Sequence, residues 1–576
     1  MAQKNFGRKL RCIVIGAGQG KAVLVMYQAT FTNTASYQTP IGQACKIHIY
    51  TLPFERGSLT LDPGRSYASS AEIQAYLKAF TFHYGIHKRI SFKSKVEKAV
   101  WSESSSTWTV SVAGKGSFEA EFLINAGGIF NNVSYPNIEG LQDFAGPLLH
   151  TAAWDNDSNL IGKRVAIIGA GASAIQCLPA IQSQVEHVDI YIRTPSWITP
   201  PAGSTINQER NHEYTQDEIA MFKGDTHFSL SARQEMESVF NRAYKTFIRD
   251  GDEQRAVRAK LETYMRARIT RSELQADLIP KFDVGCRRIS PGEAYLEALQ
   301  KAHVQPIFKS IDRATPDGLV ADGLLRHYDV LIAATGFDTS FRPRFPIIGE
   351  DGKDLRELWK DEPPSYLGVA VSGFPNYLTF LGPNTPIANG SLMGTLEATA
   401  DYFIKILEKV MREDVISINV KEEAQADFNS HTQRLMKTMV WSGPCNSWYK
   451  SKQGKVTAVW PGSSLHYREV LASCRWEDFE WRYSGNRFAC WGQGFSDVEK
   501  AGKTNAEDLA YYMEAHDNLP LEAYYLAAKG YSGSAGPSPC FKPVDETLSG
   551  AESFSAESWE TRTADALVYD AAALSA

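Results

Sequence analysis

Short apolar runs that end in glycine recur along the chain and set its rhythm. Arg11-Cys12-Ile13-Val14-Ile15 runs into Gly16-Ala17-Gly18, and Lys163 to Ile168 runs into Gly169-Ala170-Gly171. An uninterrupted run of this length predicts a strand buried on both faces, the habit of parallel sheets. Further strands are expected at Lys46–Tyr50, at Phe122–Ala126 before Gly127-Gly128, at Val188–Ile192 and at Tyr328–Ala334. Alternation at Trp108–Val112 and Phe118–Leu123 predicts antiparallel strands instead. Ser70–Tyr84 carries Ile73, Tyr76, Leu77 and Phe80 at helical spacing, and Ile175, Leu178 and Ile181 continue a helix after the second glycine turn. Ala29–Ala44 is polar and reads as a loop. Asn207–Asp277 is charged and helical, without glycine turns, as an all-α insertion would be. From Met513 the periodicity gives way to Ala, Ser, Glu and Gly, which predicts a helical stub and a disordered tail.

The glycine turns carry the first chemistry. Gly169 to Ala174 has the form Gly-x-Gly-x-x-Ala between a strand and a helix. Gly169 permits the tight turn, Gly171 lets a pyrophosphate approach the backbone, Ser173 lies in the first helical turn, and Ala174 allows close helix–strand packing. The helix N-terminus then offers unpaired N–H groups and a favourable dipole to phosphate. The next strand ends in Arg193-Thr194 rather than in a carboxylate. An acidic residue there would hold a ribose 2′-hydroxyl, whereas Arg favours the 2′-phosphate of NADPH; the alternative is a solvated strand-end arginine. The first turn is less regular: Gly16 and Gly18 are followed by Lys21 where a third glycine belongs, and its second strand ends in Tyr50-Thr51.

Composition narrows the class. The 576 residues suffice for several cores, and 43% hydrophobic with 22% charged residues is ordinary for a globular protein. A net charge of −6 argues against a nucleic-acid binder. No apolar run reaches the length of a membrane span, and the N-terminus lacks a signal-peptide core, so a cytoplasmic protein is expected. The eight cysteines are scattered without a Cys-x-x-Cys pair, which leaves no metal-ribbon reading and no disulfide framework, and predicts reduced thiols. Gly285-Cys286-Arg287-Arg288 follows the helical insertion; its paired arginines read either as a solvated face or as a cation that stabilises a developing oxyanion.

Taken together these segments resemble the FAD-dependent Baeyer–Villiger monooxygenases. Phe144, Gly146, His150 and Trp154 match the family's Phe-x-Gly-x-x-x-His-x-x-x-Trp fingerprint. Ala334-Thr335-Gly336-Phe337-Asp338, Phe345 to Gly349, Tyr366-Leu367-Gly368, Phe380 to Asn384 and Asn446-Ser447-Trp448-Tyr449 match further motifs, and Val459 to Tyr467 is similar to fungal members that tailor secondary metabolites. The resemblance runs from about Tyr67 to Phe495.

It implies an α/β fold with two Rossmann-like dinucleotide-binding domains and a helical insertion. FAD would occupy residues 1–150 and 365–512, with Gly16 and Gly18 among its contacts. NADPH would occupy 155–204 and 283–364, with the insertion at 205–282 and the tail at 513–576. The implied reaction is NADPH-driven reduction of FAD, capture of O₂ as a flavin-bound peroxide, and oxygen insertion into a small-molecule ketone. Arg288 takes the place of the family's catalytic arginine, and Trp448 that of a tryptophan near the nicotinamide and substrate. The fingerprint is implied to couple NADPH binding to domain movement. No metal, nucleic-acid or membrane partner is implied. Leu52–Arg65 departs from the pattern: it contains neither the family's Gly-Gly-x-Trp stretch nor the Asp that pairs with the catalytic Arg. The rival readings are oxygenation at nitrogen or sulfur, hydroxylation, and a non-catalytic NADPH-binding relic.

Overall fold

The computed structural model describes residues 10–16, 45–46, 67–68, 70–83, 85–200, 213–385 and 388–513. Gly18, the Ala29–Ala44 loop, most of the Lys46–Tyr50 strand, the Leu52–Arg65 departure and the tail beyond Met513 lie outside them. The buried runs do form parallel sheets. Cys12–Ile15, Phe122–Asn125 and Tyr377–Thr379 make a three-stranded sheet with Phe122–Asn125 at its centre. A five-stranded parallel sheet follows the order Val304–Ile307, His187–Tyr191, Arg164–Ile168, Val330–Ala333, Leu148–His150. Its two faces pack separately, Val165 and Ile167 into one cluster and Ala166 and Ile168 into another.

Two antiparallel meanders accompany the sheets. One joins Val96–Ser102, Thr107–Val112 and Gly116–Ala120; the other joins Ile311–Thr315, Gly318–Ala321 and Leu324–His327. The expected Phe118–Leu123 strand is therefore two strands. The chain leaves the meander after Ala120, and Phe122 enters the parallel sheet. Glu121 sits at this break and accepts a hydrogen bond from the Arg11 backbone N–H at 2.8 Å, which ties the two strands' starts together.

Helices cover the sheets as expected at Ser70–His83 and Ala172–Ile181, and the insertion holds Gln216–Gly224, Thr226–Arg242, Asp252–Arg268 and Ser272–Leu278. Leu392–Arg412, the longest helix among the described residues, was not anticipated. It starts at Ser391, whose hydroxyl accepts from the Gly394 N–H, and buries Leu396, Ala400, Phe403, Ile406 and Val410 against the three-stranded sheet. Burial of each of these side chains larger than alanine contributes about 1.5–3 kcal/mol. Among the described residues no helix is long and apolar enough to cross a membrane. Residues 1–490 form one compact unit; the segment from Trp491 is a second, whose described part holds the short helices Asp497–Lys500 and Ala506–Leu509.

One expectation fails outright. Cys286 and Cys445, 159 residues apart, are joined by a disulfide with their Cα atoms 6.2 Å apart. No spacing rule connects cysteines that distant in sequence; tertiary structure alone brings them together. Cys12, Cys177, Cys474 and Cys490 are free thiols.

The five-stranded sheet leaves no room for a side chain at Gly169. Its φ of +121° lies where side chains are strained, and a Cβ there would stand 2.6 Å from the Ala334 carbonyl oxygen. Gly169→Ala should therefore lose about 1–3 kcal/mol of stability in urea denaturation. A variant as stable as the wild type would show that this turn tolerates a Cβ.

Candidate active site

The switch point of the five-stranded sheet lies between Arg164–Ile168 and Val330–Ala333, where the strand order reverses. In open α/β sheets this is where ligands bind. The turn Gly169–Gly171 emerges there and leads into the Ala172–Ile181 helix. Its N-cap, Gly171, offers no side-chain hydrogen bond, and a Cβ on it would meet nothing within 4 Å. An uncapped helix N-terminus facing open space is the cradle a pyrophosphate needs. Ala174 is fully buried, as close helix–strand packing requires.

Arg193 and Thr194 follow the neighbouring strand, with Arg193 exposed and Thr194 half-buried. Arg287 reaches this loop from the far side. Its Nη1 donates to the carbonyls of Thr194 at 2.8 Å and Pro195 at 3.1 Å. Burial lowers the Arg287 pKa from its ordinary value, and the nearby Arg193 charge lowers it further. Two arginines thus converge on one loop.

Arg288 points elsewhere. It is exposed and acts electrostatically on the buried Tyr449 phenol, whose pKa burial raises and the Arg288 charge pulls back. Trp448, next to Tyr449, begins a row of rings. Trp448 meets Phe130 at 5.0 Å, Phe130 meets Phe337 at 5.5 Å, Phe337 meets His150 at 6.4 Å, and His150 meets Tyr135 at 5.1 Å. Phe130 and Tyr135 belong to the segment leading from the three-stranded to the five-stranded sheet; Phe337 belongs to the segment leading back. The two segments pair at Val133 and Phe337. A second cleft opens at the strand ends of the three-stranded sheet beside Ile15, Asn125, Gly127, Gly128 and Thr379.

The chain matches the flavin-binding monooxygenase-like family over residues 63–221. It is 37% identical over 476 residues to the FAD-binding monooxygenase tazF of Aspergillus terreus, covering 81% of this chain and 84% of the relative. It is also 31% identical over 437 residues to a Baeyer–Villiger monooxygenase of Pseudomonas aeruginosa, covering 74% and 80%. The chain belongs to the FAD-dependent Baeyer–Villiger monooxygenase family. Its fold is that of cyclohexanone monooxygenase from Rhodococcus sp. Phi1 bound to NADP⁺, with a TM-score of 0.70 and 24% identity over 82% of this chain and 99% of that one.

In this monooxygenase the fingerprint residues do not converge on one point. Phe144 packs on one face of the five-stranded sheet and Trp154 against the cluster on the other, so the pair clasps the edge strand Leu148–His150. Gly146 makes that clasp possible, because a Cβ there would stand 2.4 Å from the Asp329 carbonyl oxygen and 2.8 Å from the Phe144 ring. Only His150 reaches the linkers. Gly169, Gly171, Ser173, Ala174, Arg193 and Thr194 share one region, while the Trp448 ring meets Tyr449 at 4.6 Å and the Arg288 charge acts on the Tyr449 phenol. Gly16 lies exposed at the end of its strand. Sequence reading missed Arg287, Phe130 and Tyr135. Arg287 stood in a segment already singled out, but its partner loop is some ninety residues away.

The His150 ring is fully buried; Nδ1 accepts from the Ala152 N–H at 3.1 Å, while Nε2 makes no well-formed hydrogen bond. Burial lowers its pKa below the ordinary 6.5, although the carbonyls of Ser134 and Gly336 act in the opposite sense. The unfolded ring therefore takes up its proton first. This contribution to stability is complete above about 6.5 and is lost as pH falls through the lower folded value. Thermal melts should show wild type losing stability below that pH more steeply than His150→Gln. Parallel pH profiles would remove His150 as the titrating group.

Proposed function

We propose that this chain inserts one atom of O₂ into an apolar ketone, giving an ester or lactone, with NADPH as reductant, as a tailoring step in secondary-metabolite biosynthesis. The observation that carries the reading is that Ile289, next to Arg288, and Trp448 pack on one apolar cluster with Tyr449, Phe247, Trp441 and Val459, where the Arg288 charge acts on the Tyr449 phenol. FAD, when bound, supplies the redox chemistry between nicotinamide and dioxygen. The cleft at Ile15, Asn125 and Thr379 suits its placement, with residues 1–150 and 365–512 as its domain and Gly16 and Gly18 at its first turn.

The remaining roles follow from the side chains. The Gly169–Ala174 turn, with Ser173 in the first helical turn, would hold the NADPH pyrophosphate, and residues 155–204 with 283–364 its domain. Arg193, Thr194 and Arg287 would hold the 2′-phosphate. Trp448 offers a flat apolar surface to the nicotinamide or substrate. Arg288, a permanent cation, would hold negative charge on oxygen beside the apolar cluster of Trp441, Tyr449 and Val459. His150, reading both linkers through Tyr135 and Phe337, would connect occupancy of the NADPH turn to the Trp448 ring.

Purified protein loaded with FAD, given NADPH and a panel of cyclic ketones under ¹⁸O₂, should yield esters carrying one ¹⁸O. Products oxygenated at nitrogen or sulfur, or protein that takes up no flavin from excess FAD, would refute the assignment. Arg288→Ala should lower oxygenation about 10²–10³-fold while NADPH still reduces the flavin. Arg193→Ala should raise KM for NADPH about ten- to a hundredfold and leave KM for NADH nearly unchanged, since one charge-assisted phosphate contact is worth about 1.5–3 kcal/mol. Equal changes for both nucleotides would place Arg193 outside the 2′-phosphate site.

A further inference from the structure

We propose that the Cys286–Cys445 disulfide is a redox-controlled latch between the two sheet-bearing halves of the molecule, and that it positions Arg288 against the Trp448–Tyr449 segment. The inference rests on the assignment of Arg288 made above. Its first ground is connectivity. The chain leaves the three-stranded sheet after Asn125, builds the five-stranded sheet, and returns after Ala333. Cys286 lies inside that excursion and Cys445 outside it, so the disulfide is a third covalent connection beside the two linkers. Any rotation about the linkers has to carry or break it.

The second ground is placement. Cys286 directly precedes Arg287 and Arg288, and Cys445 is followed by Asn446, Ser447, Trp448 and Tyr449. One bond therefore sets the separation between the NADPH-side arginines and the aromatic segment that Arg288 faces. Around the bond the two halves also touch without covalent help. The Phe247 and Trp441 rings stack at 5.6 Å, and a Cβ on Gly443 would stand 3.4 Å from the Cys286 sulfur. The Arg249 N–H, on the Cys286 side, donates to the Thr438 carbonyl on the other at 2.9 Å. These contacts hold the two sulfurs near each other after reduction, so the bond can re-form. Both cysteines are buried, which restricts exchange to small reagents or to moments of opening.

The chemistry balances with a dithiol and a peroxide. Dithiothreitol attacks one sulfur, the S–S bond breaks through a mixed disulfide, and two protein thiols and one cyclic disulfide result. Hydrogen peroxide reverses the change: the thiols give up two protons and two electrons, the S–S bond forms, and the O–O bond breaks to give two waters. Cys286 and Cys445 are thus positioning residues, and their redox state is the control.

The test uses full-length holoenzyme purified in air. Alkylation without reduction, digestion and mass spectrometry should recover the Cys286 and Cys445 peptides joined; finding both alkylated would overturn the proposal. Hydrogen exchange at residues 285–289 and 443–450 should quicken at least severalfold after dithiothreitol and recover after hydrogen peroxide. Product formed per NADPH consumed should fall severalfold and recover in step. Cys445→Ser should show the reduced values under all conditions and respond to neither reagent. Exchange and coupling that ignore reduction would make the bond a passive brace and end the proposal, and this arm needs no variant to fold. If mapping and exchange behave as expected but no ketone is oxygenated, the latch stands and the Arg288 assignment falls.

Discussion

Everything on the five-stranded sheet hangs from two linkers, and the hydrogen bonds between those linkers are the constraint on which the site depends. The Ser134 N–H donates to the Gly336 carbonyl at 2.9 Å, the Asp338 N–H donates to the Asn132 carbonyl at 2.9 Å, and the Thr335 hydroxyl donates to the Ser134 carbonyl. Outgoing and returning chain therefore move as one ribbon. His150 sits at its edge, at the end of the strand that Phe144 and Trp154 clasp. A buried ring nitrogen without a well-formed partner costs about 1–3 kcal/mol, which an apolar side chain would avoid. Stability does not ask for that histidine. Contact with Tyr135 on one linker and Phe337 on the other gives it a use, since the ring row continues through Phe130 to Trp448.

The elements legible in the sequence are those whose signal is local. Val165, Ile167, Val330 and Ile332 are fully or almost fully buried on their strands, so apolar runs without alternation announced them. The second meander was missed although its turns are marked. Asp322-Gly323 joins Gly318–Ala321 to Leu324–His327, and both residues have positive φ, 54° and 72°, the pairing a two-residue hairpin favours. Pro316-Asp317 makes the turn before it. These strands are short and one of them is largely exposed, so hydrophobic pattern alone passed over them. The break at Glu121 was invisible for a different reason: alternation runs through it while the chain changes sheets.

The candidate site divides along the same line. The Gly169–Ala174 turn performs a job set by its immediate neighbours, and its reading needed six residues. Arg287 and Arg288 are adjacent in sequence yet serve different loops, one at Thr194 and Pro195, the other at Tyr449. Nothing at position 287 or 288 records which partner lies where. The cysteines are the extreme case. Eight scattered thiols gave no framework, and residues 159 apart became partners because the insertion and the Val440–Ser442 turn are packed together by Phe247 and Trp441.

The arginines also explain why one nucleotide would be preferred over another. Arg287 is taken largely out of water, and it donates to the neutral carbonyls of Thr194 and Pro195. Burial opposes its charge most, and Arg193 adds repulsion, while the Tyr295 phenol acts in the opposite sense. Two like charges held together in this way raise the energy of the empty loop. A dianionic 2′-phosphate between them removes the repulsion and adds charge-assisted hydrogen bonds; a 2′-hydroxyl does neither. On the proposed reading, selectivity thus comes as much from what NADH fails to relieve as from what NADPH gains, and two cations express both terms.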